Sequence, residues 1–200
     1  MTELLQWIDP MFLVGTLGLA GVIAIIFAES GLFFGFFFPG DSLLFTAGFL
    51  ASQGLLNIWA LVFGSMVAAI LGDNVGYWFG AKIGPKIFSR EDSLFFHKKH
   101  LARTQKFYDQ HGKKTIILAR FVPIVRTFAP ILAGVGKMNY KIFIVYNLIG
   151  GVVWAGGMSL AGYILGSVIP GVDRYLLPIV LVIIVVSLIP AVSHLRYNKD

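Results

Sequence analysis

Four charged residues stand at or inside hydrophobic runs of this chain, where charge is rare. Glu29 ends the first run, Asp41 follows a Pro-Gly break, and Arg120 and Arg126 flank Pro123. The planar guanidinium fork of arginine suits a phosphate group, and helix N-termini at a chain break add free N–H donors. Carboxyl groups among apolar neighbours are candidates for proton exchange. These residues therefore predict an anion site formed by the arginines, with Glu29 and Asp41 handling protons or cations.

Two alternatives stay open for these residues. Two acids and two arginines can also neutralise one another and lock their segments together, which is a purely structural role. Asp73, within Gly72-Asp73-Asn74, is a third acid in an apolar stretch. Its carboxylate either belongs to a proton relay or only makes hydrogen bonds within a helix bundle.

The composition indicates which solvent surrounds these charges. Of the 200 residues, 57% are hydrophobic and 13% are charged, and the mean hydropathy is +0.81. Soluble domains carry roughly 25% charged residues. The sequence therefore predicts an all-α, polytopic integral membrane protein in which residues 1–200 form a single membrane domain. The absence of cysteine excludes disulfides and thiolate metal sites.

The lengths of the hydrophobic runs predict about four transmembrane helices and two re-entrant helical hairpins. A transmembrane helix needs about 20 residues. We interpret the first run as a retained helix rather than a signal peptide, because the N-terminus carries no basic residue and no good cleavage site follows. The runs cover residues 11–28, 31–38, 42–71, 115–136, 140–170 and 176–193.

The first re-entrant hairpin is predicted at residues 29–50. Its initial apolar run is too short to cross a bilayer and ends at Pro39 and Gly40, which break a helix. Asp41 then stands where it can cap the next helix. The segment is expected to enter and leave the membrane on one side.

The second re-entrant hairpin is predicted at residues 115–136. A simple span there would hold two arginines, each costing about 2.5 to 3.5 kcal/mol at the bilayer centre. Pro123 and Pro130 each remove a backbone donor, and such irregular backbone survives at membrane depth only where protein or a wet cavity satisfies it. A broken helix fits this segment better than a lipid-facing one.

An internal repeat links the two halves of the chain. A basic segment separates the copies, so the sequence predicts opposite orientations for them, as in the inverted repeats of secondary transporters. Chance similarity between Gly-rich helices is the alternative. The matches are Gly54-Leu55-Leu56-Asn57 with Gly136-Lys137-Met138-Asn139, and Gly76-Tyr77-Trp78-Phe79-Gly80 with Gly162-Tyr163-Ile164-Leu165-Gly166.

The basic segment predicts the orientation of the protein. Residues 82–114 hold nine of the 16 Lys and Arg residues, and the positive-inside rule places such a segment in the cytoplasm. Apolar residues among the charges suit an amphipathic helix on the anionic inner leaflet, although a solvated loop is equally compatible. The N- and C-termini are then also expected on the cytoplasmic side.

Other functional classes find little support. His97 and His100 have a spacing that metal sites use, but nothing completes a ligand set, so no metal is expected. Nucleotide-binding loops, catalytic triads and nucleic-acid recognition modules are also missing from the sequence. We therefore expect no cofactor, no nucleic-acid partner and no enzymatic activity. Homo-oligomers remain possible, because small residues line several helices.

The sequence resembles the DedA family of bacterial inner-membrane proteins, which share the VTT domain, over nearly its whole length. The second hairpin carries the most specific motif, and one departure is Phe36, where many relatives have a further proline. The matching residues are Arg120-Phe121-Val122-Pro123-Ile124-Val125-Arg126-Thr127, Ala133-Gly134, Glu29-Ser30-Gly31-Leu32, Phe38-Pro39-Gly40-Asp41-Ser42, Gly72-Asp73 and Gly76-Tyr77.

The resemblance implies facing re-entrant hairpins in an inner-membrane protein that translocates lipid, either undecaprenyl phosphate or a phospholipid, with dependence on the proton motive force. It assigns Glu29 and Asp41 to proton or cation handling, and Arg120 and Arg126 to the anionic substrate. Two other hypotheses stay open: a proton-coupled antiporter of cations or drugs, and a membrane-integrity scaffold that transports nothing.

Overall fold

The computed structural model describes residues 10–32, 39–88 and 114–168. Within these ranges the chain is helical and contains no strand, so the predicted all-α class is confirmed. Residues 176–193 and most of the basic segment, with His97 and His100, lie outside the described residues. The elements are α1 (Pro10–Gly31), α2 (Gly40–Ser52), α3 (Ile58–Phe88), α4 (Lys114–Ala119), α5 (Pro123–Val135), α6 (Tyr140–Gly151), a π-turn (Val152–Gly156) and α7 (Gly157–Val168).

Three stretches of the described chain are long and apolar enough to cross a membrane. They cover Val14–Gly31, Ile58–Ile83 and Tyr140–Val168, the last running through α6, the π-turn and α7 without a break. One face of α3 exposes large apolar side chains at helical spacing, and a surface of this kind is stable only against lipid or another apolar surface. That stripe consists of Trp59, Phe63, Val67, Leu71 and Val75. The protein is therefore an integral membrane protein.

Two short helices follow the two chain breaks. Helices α2 and α5 have 13 residues each, or about 20 Å at 1.5 Å per residue, whereas a bilayer core is about 30 Å thick. Pro39 precedes the first residue of α2, and Pro123 occupies the first turn of α5. Neither short helix can cross a membrane alone. Whether their segments re-enter the membrane on one side stays a prediction.

The ends of the two short helices have the same backbone structure. After α2, the N–H of Leu55 donates to the carbonyl of Leu50 at 3.1 Å; after α5, the N–H of Met138 donates to that of Ala133 at 2.9 Å. Gly54 and Lys137 adopt the left-handed conformation that this Schellman-type ending requires, with φ of 80° and 53°. The matching sequences around these turns therefore fold alike.

The packing of the short helices repeats as well. A Cβ on Gly162 of α7 would collide with the backbone of Phe45 in α2, and a Cβ on Gly80 of α3 would collide with that of Ile131 in α5. Likewise, Gly48 lies against Ser159, as Gly134 lies against Tyr77. Pairs α2–α7 and α3–α5 are the two most extensive helix contacts within the described ranges.

These contacts refine the alignment of the repeat. They match Gly80 with Gly162, an offset of 82 residues, whereas the sequence comparison matched Gly76 with Gly162. The starts of α3 and α6, Ile58 and Tyr140, have the same offset. The difference is one helical turn, which glycines recurring at four-residue spacing cannot resolve by sequence alone.

Substitution of Gly48 by alanine is expected to destabilise the fold by about 1 to 3 kcal/mol, because the new methyl group meets the backbone of Ser159 and neither helix can yield locally. The measurement is thermal unfolding of the purified protein in detergent. Gly157→Ala is the matched control, since its Cβ would have open space. Equal melting temperatures for the two variants would contradict the close contact.

Candidate functional site: a buried charge cluster

Arg126, in the first turn of α5, joins the two broken segments. Its Nη2 donates to Glu29 Oε1, at the end of α1, and its Nη1 donates to Asp41 Oδ1, at the start of α2, at 3.0 Å. Glu29 and Arg126 are buried, and the Asp41 side chain is 16% exposed. One guanidinium therefore bridges two acids that stand on either side of the first chain break.

Arg120 forms a second ion pair at the break between α4 and α5. Its Nη2 lies 2.5 Å from Asp73 Oδ2 and 2.5 Å from Asn147 Oδ1. All three residues are buried, and Asp73 lies well inside the long apolar stretch of α3. Arg120 and Asp73 both interact electrostatically with Arg126, so the ion pairs of the two arginines form one cluster.

Trp154, in the π-turn, contacts the charge cluster. Its indole N–H donates to Asp41 Oδ1 at 2.6 Å, and its ring lies under the Arg126 guanidinium, 4.5 Å from ring centroid to Cζ. It is the largest fully buried side chain in the described part of the protein. Stacking on an aromatic face stabilises a guanidinium that is no longer hydrated.

Glycines make room for the charged side chains. A Cβ on Gly40 would overlap the Glu29 carboxylate, and one on Gly150 would lie 2.8 Å from Cδ of Arg120. Gly31 and Gly72 bring α1 and α3 into backbone contact, with distances of about 3.1 Å from a Gly31 Cβ to Gly72 atoms. The close approach of these backbones positions Glu29 and Asp73 beside the arginines.

Comparisons with known proteins give the family. The VTT domain profile matches residues 38–164, more than half of the chain. Protein DedA of Escherichia coli (strain K12) is 48% identical over 88% of this chain and 80% of that protein. The chain belongs to the VTT domain family. Uncharacterized membrane proteins of Mycobacterium leprae (strain TN) and Mycobacterium tuberculosis (strain ATCC 25618 / H37Rv) are 45% and 44% identical, over 92% and 96% of this chain and 85% and 87% of their own lengths. No solved structure matches it.

The fold thus brings together the five charged residues singled out from the sequence, and the breaks expected at Pro39 and Pro123 adjoin them. Beside Asp41, the carbonyl oxygen of Pro39 accepts a hydrogen bond from the Ser42 hydroxyl at 3.0 Å. Contrary to the prediction, no break occurs at Pro130, which is buried inside the continuous helix α5 and packs against Gly76 of α3. The roles assigned to these residues in transport stay predictions.

Two polar residues of the VTT domain site were not singled out from the sequence: Asn147 and Trp154. Each had a signal that could have identified it. An asparagine within an apolar span needs a hydrogen-bond partner, and tryptophan normally lies at the membrane interface, whereas Trp154 stands near the middle of Tyr140–Val168. Their partners, which lie far away in the chain, could not be inferred.

The cluster carries an excess of negative charge. Three carboxylates (Glu29, Asp41 and Asp73) face two guanidinium groups, which leaves one formal negative charge. A net charge buried in a membrane protein is costly. A proton on one carboxyl group, or a cation drawn into the site, would neutralise the cluster.

Several buried polar atoms of the cluster have no hydrogen-bond partner among the residues that the structure describes. They include Nε and Nη1 of Arg120, Nε of Arg126, Oε2 of Glu29 and Oδ1 of Asp73. An unsatisfied buried donor or acceptor costs about 1 to 3 kcal/mol, and more on a charged group. The site therefore holds unused donors and acceptors at the point where the two breaks meet. Among the described residues, no group of acids and histidines has the arrangement of a metal site.

Proposed function

We propose that this protein translocates a lipid with an anionic phosphate head group, undecaprenyl phosphate or a phospholipid, across the bacterial inner membrane, with proton movement driving the transport. The observation that carries the proposal is Arg120: a buried guanidinium beside a chain break, whose Nε and Nη1 have no partner in the described part of the chain. These N–H groups lie on different edges of the guanidinium, so each offers a separate charged donor to a phosphate oxygen. The hydrocarbon tails would remain in the lipid.

Arg126 supports the same proposal in a second way. Its two terminal nitrogens bond to Glu29 and Asp41, so a phosphate that approaches it must compete with carboxylates. Protonation of one carboxyl group would weaken that competition and release donors for the anion. Proton uptake and lipid phosphate binding are thereby coupled, and the excess negative charge of the cluster supplies the site for the proton.

The orientation is part of the proposal. The positive-inside rule places the basic segment 82–114 and both termini in the cytoplasm. The two broken segments would then face each other from opposite sides, and the charge cluster would lie between them. A site that is exposed alternately to either side needs no nucleotide, so the protein is proposed to be a transporter rather than an enzyme.

The test is translocation of a fluorescent undecaprenyl phosphate analogue in proteoliposomes, with and without a pH gradient. Arg120→Ala is expected to reduce the rate about 10- to 100-fold, since hydrogen bonds to a charged group contribute about 1.5 to 3 kcal/mol. Lys82→Ala, which removes an exposed cation of α3, is expected to leave the rate unchanged. No flipping above empty liposomes in a folded sample would refute lipid transport.

A second candidate, a proton-coupled antiporter of cations or drugs, is favoured by the excess of carboxylates alone. It predicts that Glu29 and Asp41 matter and that Arg120→Ala leaves transport of a monovalent cation unaffected. A scaffold role, in which the ion pairs are purely structural, predicts that exchange of Glu29 and Arg126 retains function in cells. Arg120→Ala and the exchange of Glu29 with Arg126 therefore distinguish the three hypotheses.

A further inference from the structure

The continuous helix of residues 140–168 supplies an uncharged partner to each arginine–acid pair. Asn147 bonds to Arg120, and Trp154 bonds to Asp41. Both side chains are buried, at 0% and 1% exposure. The two residues are seven positions apart, about two helical turns, so they face the same side of the helix. Neither gains nor loses a proton in the physiological range.

Trp154 and Arg126 share one carboxylate oxygen. Asp41 Oδ1 accepts from the Trp154 indole N–H at 2.6 Å and from Arg126 Nη1 at 3.0 Å. If Arg126 turns toward an anionic ligand, the indole N–H still donates to Asp41. It can donate to this oxygen whether Asp41 is ionised or protonated. Asp41 therefore keeps this hydrogen bond when the ion pair opens.

Asn147 has the complementary role at Arg120. Its Nδ2 donates to the carbonyl of Ile70 at 3.1 Å, which leaves Oδ1 facing Arg120 Nη2 at 2.5 Å. This orientation is required, because a guanidinium offers donors only. If Asp73 is protonated or Arg120 shifts toward a phosphate, the amide oxygen still accepts from the guanidinium.

The π-turn positions Trp154. π-helical turns are rare and occur mainly at functional sites. This one, Val152–Gly156, widens the helix at Trp154, whose side chain contacts both Asp41 and Arg126. Its residues Ala155 and Gly156 are small and buried, which keeps the neighbouring helices close.

We propose that Asn147 and Trp154 are positioning residues that keep Arg120 and Asp41 hydrogen-bonded while their ion pairs open to admit the ligand. The inference rests on the proposed function and adds a mechanism to it. Opening a buried ion pair separates the charges in a medium of low polarity, which is unfavourable. A neutral partner whose hydrogen bond strengthens once the charged partner has left lowers that cost, and so speeds the opening step more than it stabilises the resting state.

The kinetic test compares Trp154→Phe with Trp59→Phe in the proteoliposome assay. Phenylalanine keeps an aromatic ring over Arg126 but removes the N–H donor. Trp59 is the control, an exposed residue in the first turn of α3. Trp154→Phe is expected to lower the maximal rate about tenfold, with little change in the apparent KM. In an Asp41→Ala background, which has no side-chain acceptor for the indole N–H, the same change is expected to have a much smaller effect. A rate equal to that of Trp59→Phe would overturn the role of Trp154.

A matched pair tests Asn147. Asn147→Leu removes the partner of Arg120, whereas Asn74→Leu removes another side chain that donates to the same Ile70 carbonyl, at 2.7 Å, without an observed contact to Arg120. The first is expected to slow translocation about tenfold and the second less than twofold. Equal losses would mean that Asn147 only stabilises α3, and would overturn its positioning role.

A spectroscopic experiment separates this inference from the proposed function. Protein with 15N-labelled indoles is placed in lipid nanodiscs, and the Trp154 N–H resonance is identified by its loss in Trp154→Phe. Asp41→Asn is expected to move that resonance much more than Asp73→Asn does. Absence of lipid flipping by the wild type would refute the proposed function, and an indole resonance insensitive to Asp41→Asn would overturn the inference independently.

Discussion

Arg126→Ala is expected to lower the free energy of unfolding by about 3 to 5 kcal/mol, more than any other single replacement in the cluster. Removal of one partner from a buried ion pair leaves an uncompensated charge, and Arg126 contacts two acids, Glu29 and Asp41. Its loss leaves three carboxylates around one guanidinium. The measurement is unfolding by SDS titration in mixed micelles, followed by far-UV circular dichroism.

A compensating variant tests this explanation. The double variant Arg126→Ala with Glu29→Gln removes a positive and a negative charge together, and it is expected to recover part of the lost stability. Lys141→Ala, an exposed cation at the start of α6, is the control and is expected to change stability by less than about 0.5 kcal/mol. If the double variant were less stable than Arg126→Ala, charge compensation would not be the cause.

Glu29→Gln is expected to abolish accumulation driven by a pH gradient while the fold and downhill movement persist. Glutamine keeps the shape of the side chain and an oxygen that can accept from Arg126. It also removes the excess charge: two carboxylates then face two guanidinium groups. With no excess charge to neutralise, the cluster no longer needs to take up a proton.

The measurement is the final distribution of the fluorescent lipid phosphate across proteoliposomes with an imposed gradient of about two pH units. Wild type is expected to accumulate the lipid on one side, whereas Glu29→Gln is expected to reach an even distribution. Ser30→Ala is the matched control, since Ser30 is the next residue of α1 and is equally buried. Gradient-driven accumulation by Glu29→Gln would remove Glu29 from the proton path.

Much of the charge cluster could be predicted from residue types alone. Glu29, Asp41, Asp73, Arg120 and Arg126 stand in apolar stretches, and a charge in such a place needs a partner or a function. Which acid would pair with which arginine could not be predicted. The sequence does not link Asp73 to the other acids or to an arginine. In the structure it contacts Arg120, whereas Glu29 and Asp41 both contact Arg126.

In the internal repeat, too, some features could be predicted from the sequence and others could not. The matching Asn57 and Asn139 begin α3 and α6: Asn57 Oδ1 accepts from the N–H of Ala60 at 3.0 Å, and Asn139 Oδ1 accepts from that of Lys141 at 2.9 Å. Such local signals depend on a few neighbouring residues, so sequence reasoning can find them. The register between Gly80 and Gly162 depends on contacts with α5 and α2, which a sequence comparison does not contain.

The sequence by itself determined that the protein is an all-α membrane protein, that helices break beside Pro39 and Pro123, and which charged residues require an explanation. Composition and breaking residues act locally, and lipid leaves a chain few alternatives. Only the tertiary structure decided that the two breaks meet at one cluster and that three acids oppose two arginines. It alone revealed the contributions of Asn147 and Trp154. These features depend on side chains up to 113 residues apart, and such distances are fixed by the packing of the whole chain.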